Sequence, residues 1–294
     1  MGPVIEGIIL GVLTGGVYAL MSSGLTLLFG VMDIINIGQG ILVILGAYLS
    51  YVLEQHLHID LFPGLLITMP VMFFLGWLIS FVFRPIKRDR MMLSVLVTFG
   101  IALIIEGVLN LIFTANIVSL QAWYITASIP LPGFSPPFYL PYIYVFGFAL
   151  AVVLLAGLYI LVYRTDFGRS LRASMQNRTA AELVGIDVEG ISSITFGIGV
   201  ALAAAGGMAF GATNGFDANS AYDLISRLLA IIVFGGMGSL SGALIASVSM
   251  LVIEDVVAQI WDPHWATLVF FVLLVIILVL RPQGLLGKVE GRKQ

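Results

Sequence analysis

The chain has 294 residues, of which 60% are hydrophobic and only 10% are charged, and its formal net charge is −3. A soluble globular domain carries about 25% charged residues, so this composition excludes a surface that mostly faces water. The chain has no cysteine, which also excludes disulfides and thiol chemistry. The predicted fold class is therefore all-α, a polytopic bundle of transmembrane helices that forms a single domain over residues 1–294.

Apolar runs of about 20 residues recur along the chain, which is the length that crosses roughly 30 Å of hydrocarbon. They predict about eight spans, the first of them a retained span rather than a cleaved signal peptide. The stretch 228–260 is apolar but interrupted by glycines, so it is treated separately from the others. The remaining predicted spans are 4–31, 37–53, 64–83, 92–113, 142–163, 191–213 and 266–281.

Twelve of the thirteen basic residues fall in three short clusters, and only Arg227 stands apart. Lys and Arg near membrane spans concentrate on the cytoplasmic side, which predicts an N-terminus outside and a cytoplasmic C-terminus. The stretch 228–260 must then cross the membrane twice as a helical hairpin, or not at all as a re-entrant segment. The clusters are Arg84, Lys87, Arg88 and Arg90; Arg164, Arg169, Arg172 and Arg178; and Arg281, Lys288, Arg292 and Lys293.

Two breaks without lysine or arginine, 33–40 and 235–242, are expected to lie within the membrane. Non-helical backbone at that depth survives only when it is buried in protein or lines a wet cavity, and such breaks often mark a transport pathway. The alternatives are tight turns between helices and side chains that only satisfy freed backbone groups. The candidate pathway residues at the breaks are Asn36, Gln39, Gly235, Gly236 and Gly238.

Ionisable groups inside spans are costly and usually functional. Glu106 lies in the outer half of the fourth predicted span, and Asn110 follows one turn later on the same face, so both join the candidate pathway residues. The alternative for Glu106 is a protonated carboxyl hydrogen-bonded between helices. Glu254 and Asp255 lie near the end of the glycine-broken stretch.

Small residues recur every fourth position in the first and sixth predicted spans, which favours close helix packing. Packing within the subunit is preferred over a contact between subunits. The residues are Gly7, Gly11 and Gly15, and then Gly199, Ala203, Gly207 and Gly211.

Motifs of soluble enzymes, metal sites and nucleic-acid binding are missing. The three lysines do not stand in the glycine pattern of a P-loop, and His56, His58 and His264 fall in predicted external loops without a constellation of metal-binding carboxylates. An intramembrane enzyme would need a paired nucleophile and base on facing spans, which the sequence does not offer. We expect neither a catalytic residue nor a metal nor a cofactor in this chain.

The longest predicted cytoplasmic loop is 164–190. Leu171, Met175 and Leu183 give it one short helix with an apolar side, whose ends are marked by Gly168 and Gly185. Such a helix either transmits force from a cytoplasmic partner or lies on the lipid headgroups as a solvated connection.

This loop, "RTDFGRSLRASMQNRTAAELVGID", resembles the coupling loop of permeases in branched-chain amino acid ABC importers, the LivH-type subunits. So do "GVYALMSSGLTLLFGVMDIINIGQGILVILGAY", "LVTFGIALIIE", "ALAAAGGMAFG", "IIVFGGMGSLSGALI" and "LRPQGLLG", in the same order over nearly the whole chain. Many relatives have Ala-His where this chain has Gly38-Gln39, which weakens any role there for an ionisable group.

The resemblance implies a permease of the bacterial or archaeal plasma membrane that pairs with a homologous second permease. It also implies two cytoplasmic ATPase subunits, which would bind the ATP, and an extracytoplasmic binding protein that docks on the external loops. The segment from Arg172 to Ile186 would be the coupling helix seated in an ATPase groove. Its candidate contact residues are Arg172, Glu182, Leu183, Gly185 and Ile186.

The solute is less well defined by the resemblance than the permease role. Branched-chain or related amino acids are the first expectation, and urea, amides or small carboxylic acids are the alternative, because relatives carry these too. A proton-coupled secondary transporter that uses Glu106, Glu254 or Asp255 is a further alternative, and it predicts uptake without an ATPase.

Overall fold

The computed structural model describes residues 2–86, 90–114, 116–131 and 137–286. The five lysines and arginines of the basic clusters that lie outside this part of the chain are Lys87, Arg88, Lys288, Arg292 and Lys293.

The described residues form a helical bundle with one small β-hairpin. A 3-10 turn, Phe81–Phe83, follows the third helix, and the strands β1 (Ser128–Leu131) and β2 (Phe138–Pro141) pair antiparallel. The helices are α1 (Gly2–Met32), α2 (Gln39–Leu57), α3 (Leu61–Ser80), α4 (Arg90–Phe113), α5 (Trp123–Thr126), α6 (Tyr142–Arg164), α7 (Asp166–Gln176), α8 (Arg178–Leu183), α9 (Val188–Thr213), α10 (Ser220–Gly235), α11 (Leu240–Ile260) and α12 (Pro263–Leu280).

Eight segments within the described residues are long and apolar enough to cross a membrane, and they lie in α1, α2, α3, α4, α6, α9, α11 and α12. Their ends fall within a few residues of the predicted spans. The all-α polytopic bundle is thus confirmed. The segment between α4 and α6 contains the two short strands β1 and β2.

The stretch 228–260 is a helical hairpin. It contains the second half of α10, the turn 236–239 and the whole of α11. The 21 residues of α11 make it a candidate span, whereas the 16 residues of α10 extend only about 24 Å at 1.5 Å per residue.

Glycines set the distance between α1 and α11. A β-carbon on Gly15 would lie 2.8 Å from Cα of Val248, and one on Gly7 would lie 2.6 Å from Cα of Val256. The two helices therefore run antiparallel with their backbones in contact. Small residues of α9 make similar approaches to α1 and α2, with Gly199 beside Gly24. The predicted role of these residues, packing within the subunit, is confirmed.

The helix α9 is the centre of the bundle, because 83% of its 18-residue apolar segment is buried. It packs against α1, α2 and α3. By contrast, α4 and α12 lie at the periphery, because only 17% and 11% of their 18-residue apolar segments are buried. The helix α9 is therefore the buried helix on which α1, α2 and α3 pack.

The prediction of a single helix in the loop 164–190 is wrong. Two helices, α7 and α8, meet at Asn177, whose φ of −157° is extended. Its side-chain oxygen accepts a hydrogen bond from the backbone N–H of Ala180, so Asn177 caps a new helix rather than continuing the old one. The start predicted at Gly168 is also wrong, because Thr165 caps α7 three residues before Gly168.

Candidate transport pathway and coupling surface

The first break, residues 33–38 between α1 and α2, lies beside the middle of α9. Its backbone is supported by α4, since the N–H of Ile37 donates a 3.1 Å hydrogen bond to Oγ1 of Thr98, a side chain that is 1% exposed. Asp33 adopts a left-handed φ of +52°, which ends α1 sharply. Ile34, Asn36 and Gly38 are buried and Asp33 is exposed, so the protein covers most of the break, as irregular backbone at membrane depth requires.

Asn36 and Gln39, the two polar candidates at this break, bond to each other. Nδ2 of Asn36 donates to Oε1 of Gln39 at 3.1 Å, and Nε2 of Gln39 donates to the carbonyl of Gly199 at 3.4 Å. Both side chains are at most 1% exposed. Their amides therefore tie the start of α2 to α9 in this conformation, and neither lines the cavities described below.

The second break, residues 236–239, joins α10 to α11. Gly236 and Gly238 have φ values of +98° and +79°, which disfavour a side chain. The segment that follows α12 closes over this turn, with the N–H of Leu285 donating to the carbonyl of Phe234 at 2.8 Å and that of Leu286 to Gly235 at 3.1 Å. The C-terminal carbonyls of α10 are satisfied by a segment about 50 residues away in sequence.

Glu106 and Asn110 lie one turn apart on α4. The hydroxyl of Tyr222, on α10, donates a 2.6 Å hydrogen bond to Oε2 of Glu106. Oδ1 of Asn110 is buried and has no hydrogen-bond partner. The structure thus places Glu106 against α10, and the bond between Asn36 and Gln39 at the first break does not include it.

Arg227 is the centre of a charged cluster that the sequence did not predict. Nη1 of Arg227 donates to Glu254 at 2.5 Å, and its Nε donates to Asp223 at 3.1 Å. The side chains of Arg227 and Glu254 are 16% and 8% exposed, so this is a buried ion pair between α10 and α11. The signal available in the sequence was a lone arginine in an apolar stretch, four residues after an aspartate.

Two neighbouring cavities lie at this end of the bundle. The inner one, of about 200 Å³, is lined by Tyr18, Arg227, Glu254 and Asp255 among others. The outer one, of about 690 Å³, lies between the segment 119–126 and the end of α9. Thr213 and Asn214 line both, which makes the inner cavity a continuation of the outer one.

Polar contacts stabilise the loops around the outer cavity. The hydroxyl of Tyr124 donates a 2.7 Å hydrogen bond to Asp60, and burial together with this carboxylate raises the pKa of Tyr124. Before α10, Asp217 accepts hydrogen bonds from Ser220 and Asn219. Partial burial favours its protonated form, but these hydrogen bonds outweigh it and lower the pKa of Asp217.

The tip of the α7–α8 segment is exposed and partly apolar. Leu183 and Val184 are 83% and 77% exposed, and Gly185 ends α8 with a φ of +87°. Glu182 is half exposed and pairs with Arg178 at 3.2 Å, while Ile186 is partly buried. An exposed apolar tip beside charged groups is a surface suited to a protein partner.

Arg172 points away from this tip. Its guanidinium donates to the carbonyl of Val162 and lies 5.2 Å from the ring of Tyr163, so it caps the C-terminal end of α6. The next turn of α7 carries Met175, whose side chain packs beside Gly30 of α1. Cα of Gly238 lies 3.8 Å from the position that a β-carbon on Gly30 would take. Met175 of the loop and the second break therefore meet at one point of α1.

Within the described residues, no group of three or more histidine, cysteine, aspartate or glutamate side chains is arranged to hold a metal ion. His56, His58 and His264 are exposed.

Residues 7–278 match the profile of a family described as "Branched-chain amino acid transport system / permease component". The permease protein BraD of the Pseudomonas aeruginosa high-affinity branched-chain amino acid transport system is 27% identical, over 98% of this chain and 97% of that protein. The LivH permease protein of the corresponding Escherichia coli system is 26% identical, over 96% of this chain and 95% of its own length.

A second kind of permease protein from the same Escherichia coli system is also similar. LivM is 25% identical over 92% of this chain and 68% of its own length. No solved structure gives a significant match.

Proposed function

This chain belongs to the family of branched-chain amino acid transport permease components, and we propose that it forms, with a second permease, the pathway of an ATP-driven importer. It is a multi-pass membrane protein of the inner membrane, with eight candidate spans. The proposed solutes are branched-chain amino acids, since the relatives that match over nearly their whole length are named for them. The similarity to both LivH and LivM supports a heterodimer of homologous permeases.

The observation that carries the proposal is the meeting of α7 and the second break at Gly30. A force on the exposed tip around Leu183 would pass along α8 and α7 to Met175, and from there to α1 and the turn 236–239. We place an ATPase subunit on this tip, with Glu182, Leu183, Gly185 and Ile186 in the contact. Arg172 then positions α7 against α6 rather than touching the partner.

The breaks are the proposed moving parts of the pathway. The mutual hydrogen bond of Asn36 and Gln39 holds α2 against α9 in one state, and its release would free two amides for a polar solute. Gly235, Gly236 and Gly238 provide the flexible turn between α10 and α11, and Glu106 and Asn110 line the route between α4 and α10. The N-terminus is then external, the α7–α8 segment and the C-terminus are cytoplasmic, and an external binding protein docks on the loops around the outer cavity.

Uptake by proteoliposomes tests this function. The chain is reconstituted with its second permease, ATPase subunits and binding protein, and the uptake of radiolabelled leucine is measured with and without internal ATP. We expect uptake only when ATP and the binding protein are both present. Uptake driven by a proton gradient in the absence of ATP would contradict the proposal and identify a secondary transporter.

A further inference from the structure

The inner cavity contains a charge that the protein does not balance. Of the titratable side chains that line it, Arg227 is basic and Glu254 and Asp255 are acidic, so one negative charge is uncompensated when both carboxylates are ionised. Asp223 adds a further negative charge from outside the cavity, but its side chain is 62% exposed, so water and salt screen it. An isolated buried charge is costly, and proteins neutralise it with a partner or an ion.

One oxygen of the cluster is free to bind that partner. Oε1 of Glu254 accepts from Arg227, but Oε2 is buried and has no hydrogen-bond partner, although the side chain is only 8% exposed. A buried carboxylate oxygen without a donor loses its hydrogen bonds to water and forms none with the protein, which costs free energy. This atom therefore points to a ligand that supplies positive charge.

The arginine is already engaged by protein groups through all three of its nitrogens. Besides Glu254 and Asp223, its remaining nitrogen, Nη2, donates to Oγ1 of Thr267 at 3.4 Å. The carboxylate group of an amino acid would have to share a guanidinium that already pairs with Glu254 and Asp223. The geometry therefore favours a cation over a zwitterion that binds through both of its charged groups.

The remaining lining supplies further oxygen atoms. Asp255 accepts a 2.9 Å hydrogen bond from Thr14, which fixes the orientation of its carboxylate. Tyr18, Tyr144 and Asn214 also line the cavity. Carboxylate, hydroxyl and amide oxygens are the ligands of hard cations such as the alkali and alkaline-earth ions.

Size and access restrict the occupant further. A volume of about 200 Å³ holds several water molecules but is smaller than the roughly 300–1,000 Å³ of pockets for organic ligands. The outer cavity, which shares Thr213 and Asn214 with the inner one, gives a route for a small hydrated ion. A single uncompensated negative charge matches a monovalent ion rather than a divalent one.

We infer that the inner cavity is a binding site for one small monovalent cation, held by Glu254 Oε2 and Asp255 between α1, α10 and α11. The ion is Na⁺, K⁺ or NH₄⁺, which share charge and a preference for oxygen ligands. By neutralising the cluster, it stabilises the packing of α10 and α11 on α1. This site is separate from the proposed solute route and does not depend on it.

The thermal unfolding midpoint of the full-length protein, purified in detergent with the subunits that accompany it, tests the inference. NaCl, KCl and NH₄Cl are each titrated against choline chloride at constant ionic strength. We expect a saturable rise of about 3 °C with at least one small cation and none with choline, because a ligand of the folded state stabilises it by mass action. The salt that reaches half its effect at the lowest concentration identifies the ion.

Matched variants locate the effect. Asp255→Asn keeps an acceptor for Thr14 but removes the charge, so the rise should be lost. Asp262→Asn changes an exposed carboxylate outside the cavity and should leave the rise unchanged. If Asp255→Asn does not fold, Tyr18→Phe, which removes only a hydroxyl, should increase the half-saturating concentration severalfold.

Three results would overturn the inference. They are equal shifts in choline and in the small cations, an unchanged rise in Asp255→Asn, and a midpoint that responds to pH but to no cation. The last result would assign the neutralising charge to a proton on one of the carboxylates. None of these measurements requires transport, so the proposed function and this site fail independently.

Discussion

The hydroxyl of Tyr222 donates a 2.6 Å hydrogen bond to the carboxylate of Glu106, and these two residues are 116 positions apart. This bond joins α10 to α4. The helix α4 is peripheral, since only 17% of its 18-residue apolar segment is buried. The bond therefore helps to fix the position of α4 relative to α10. We therefore expect the bond to matter for transport.

Replacing Glu106 tests its role. Glu106→Gln keeps an acceptor for Tyr222, whereas Glu106→Ala removes it, so alanine should reduce the initial rate of ATP-driven uptake more than glutamine. A hydrogen bond worth about 1 kcal/mol corresponds to a roughly fivefold difference. Tyr222→Phe should behave like Glu106→Ala. Equal uptake in all three variants and in the wild type would leave Glu106 without a functional role.

A methyl group on Gly15 should destabilise the bundle. The added β-carbon would lie 2.8 Å from Cα of Val248, so α1 and α11 must separate, at a cost of about 1–3 kcal/mol. We expect a lower thermal midpoint for Gly15→Ala. The matched control is Gly157→Ala on α6, where nothing lies within 4 Å of the new atom. A midpoint that falls equally in both variants would contradict this account of the helix contact.

Leu183→Asp should separate the ATPase from the permease without unfolding either. Leu183 is 83% exposed, and surface substitutions of this kind usually change stability by less than about 0.5 kcal/mol. We expect the ATPase to be lost on co-purification while the thermal midpoint is kept. Leu57→Asp changes an exposed leucine at the opposite end of the bundle and should retain the ATPase. Full retention in Leu183→Asp would place the contact elsewhere.

Removing one partner of the Arg227–Glu254 pair should cost more than removing both. Arg227→Met leaves a carboxylate that is 8% exposed without its guanidinium, a loss of about 3–5 kcal/mol for a buried charge. The double variant Arg227→Met, Glu254→Leu should recover much of this stability in a thermal or denaturant titration. Asp223→Asn, at a carboxylate that is 62% exposed, should cost about 1 kcal/mol or less. Additive effects of the two single changes would argue against a coupled pair.

Asp217 should contribute a pH-dependent part of the stability. Hydrogen bonds from Ser220 and Asn219 lower the pKa of its carboxyl below the ordinary value of 3.8. Because the pKa is lower in the folded state, this stability is fully present above about pH 4 and is lost as the pH falls through the folded-state pKa. The thermal midpoint of Asp217→Asn should fall less steeply on acidification below pH 4 than that of the wild type. Parallel curves would assign the acid response to other groups.

The spans were predictable from the sequence because a membrane span is a local property. A run of about 20 apolar residues must cover the hydrocarbon whatever surrounds it, and the ends of the observed helices fall within a few residues of the predicted ones. The glycine spacing of α1 predicted close packing for the same reason, since residues four apart share a helix face. The length of 228–260 alone did not decide whether this stretch crosses the membrane twice or forms a re-entrant segment.

The break at Asn177 was missed because a short polar side chain competes with the backbone for the same hydrogen bonds. Leu171, Met175 and Leu183 share an apolar pattern whether the helix is continuous or bent, so periodicity does not reveal the bend. The hydrogen-bond partners of the polar candidate residues could not be predicted from the sequence either. Nothing local to Asn36 and Gln39 indicates that their amides bond to each other and to Gly199.

By itself the sequence determined the class of protein, the number and length of its spans, its resemblance to permeases and the residues that cannot face lipid unaided. Only the tertiary structure decided which of those residues meet. It brought Arg227 to Glu254, Met175 and Gly238 to Gly30, and Tyr222 to Glu106. The physical reason is that the cost of removing a polar group from water is set by residue type, whereas the partner that offsets it is chosen by how distant helices pack.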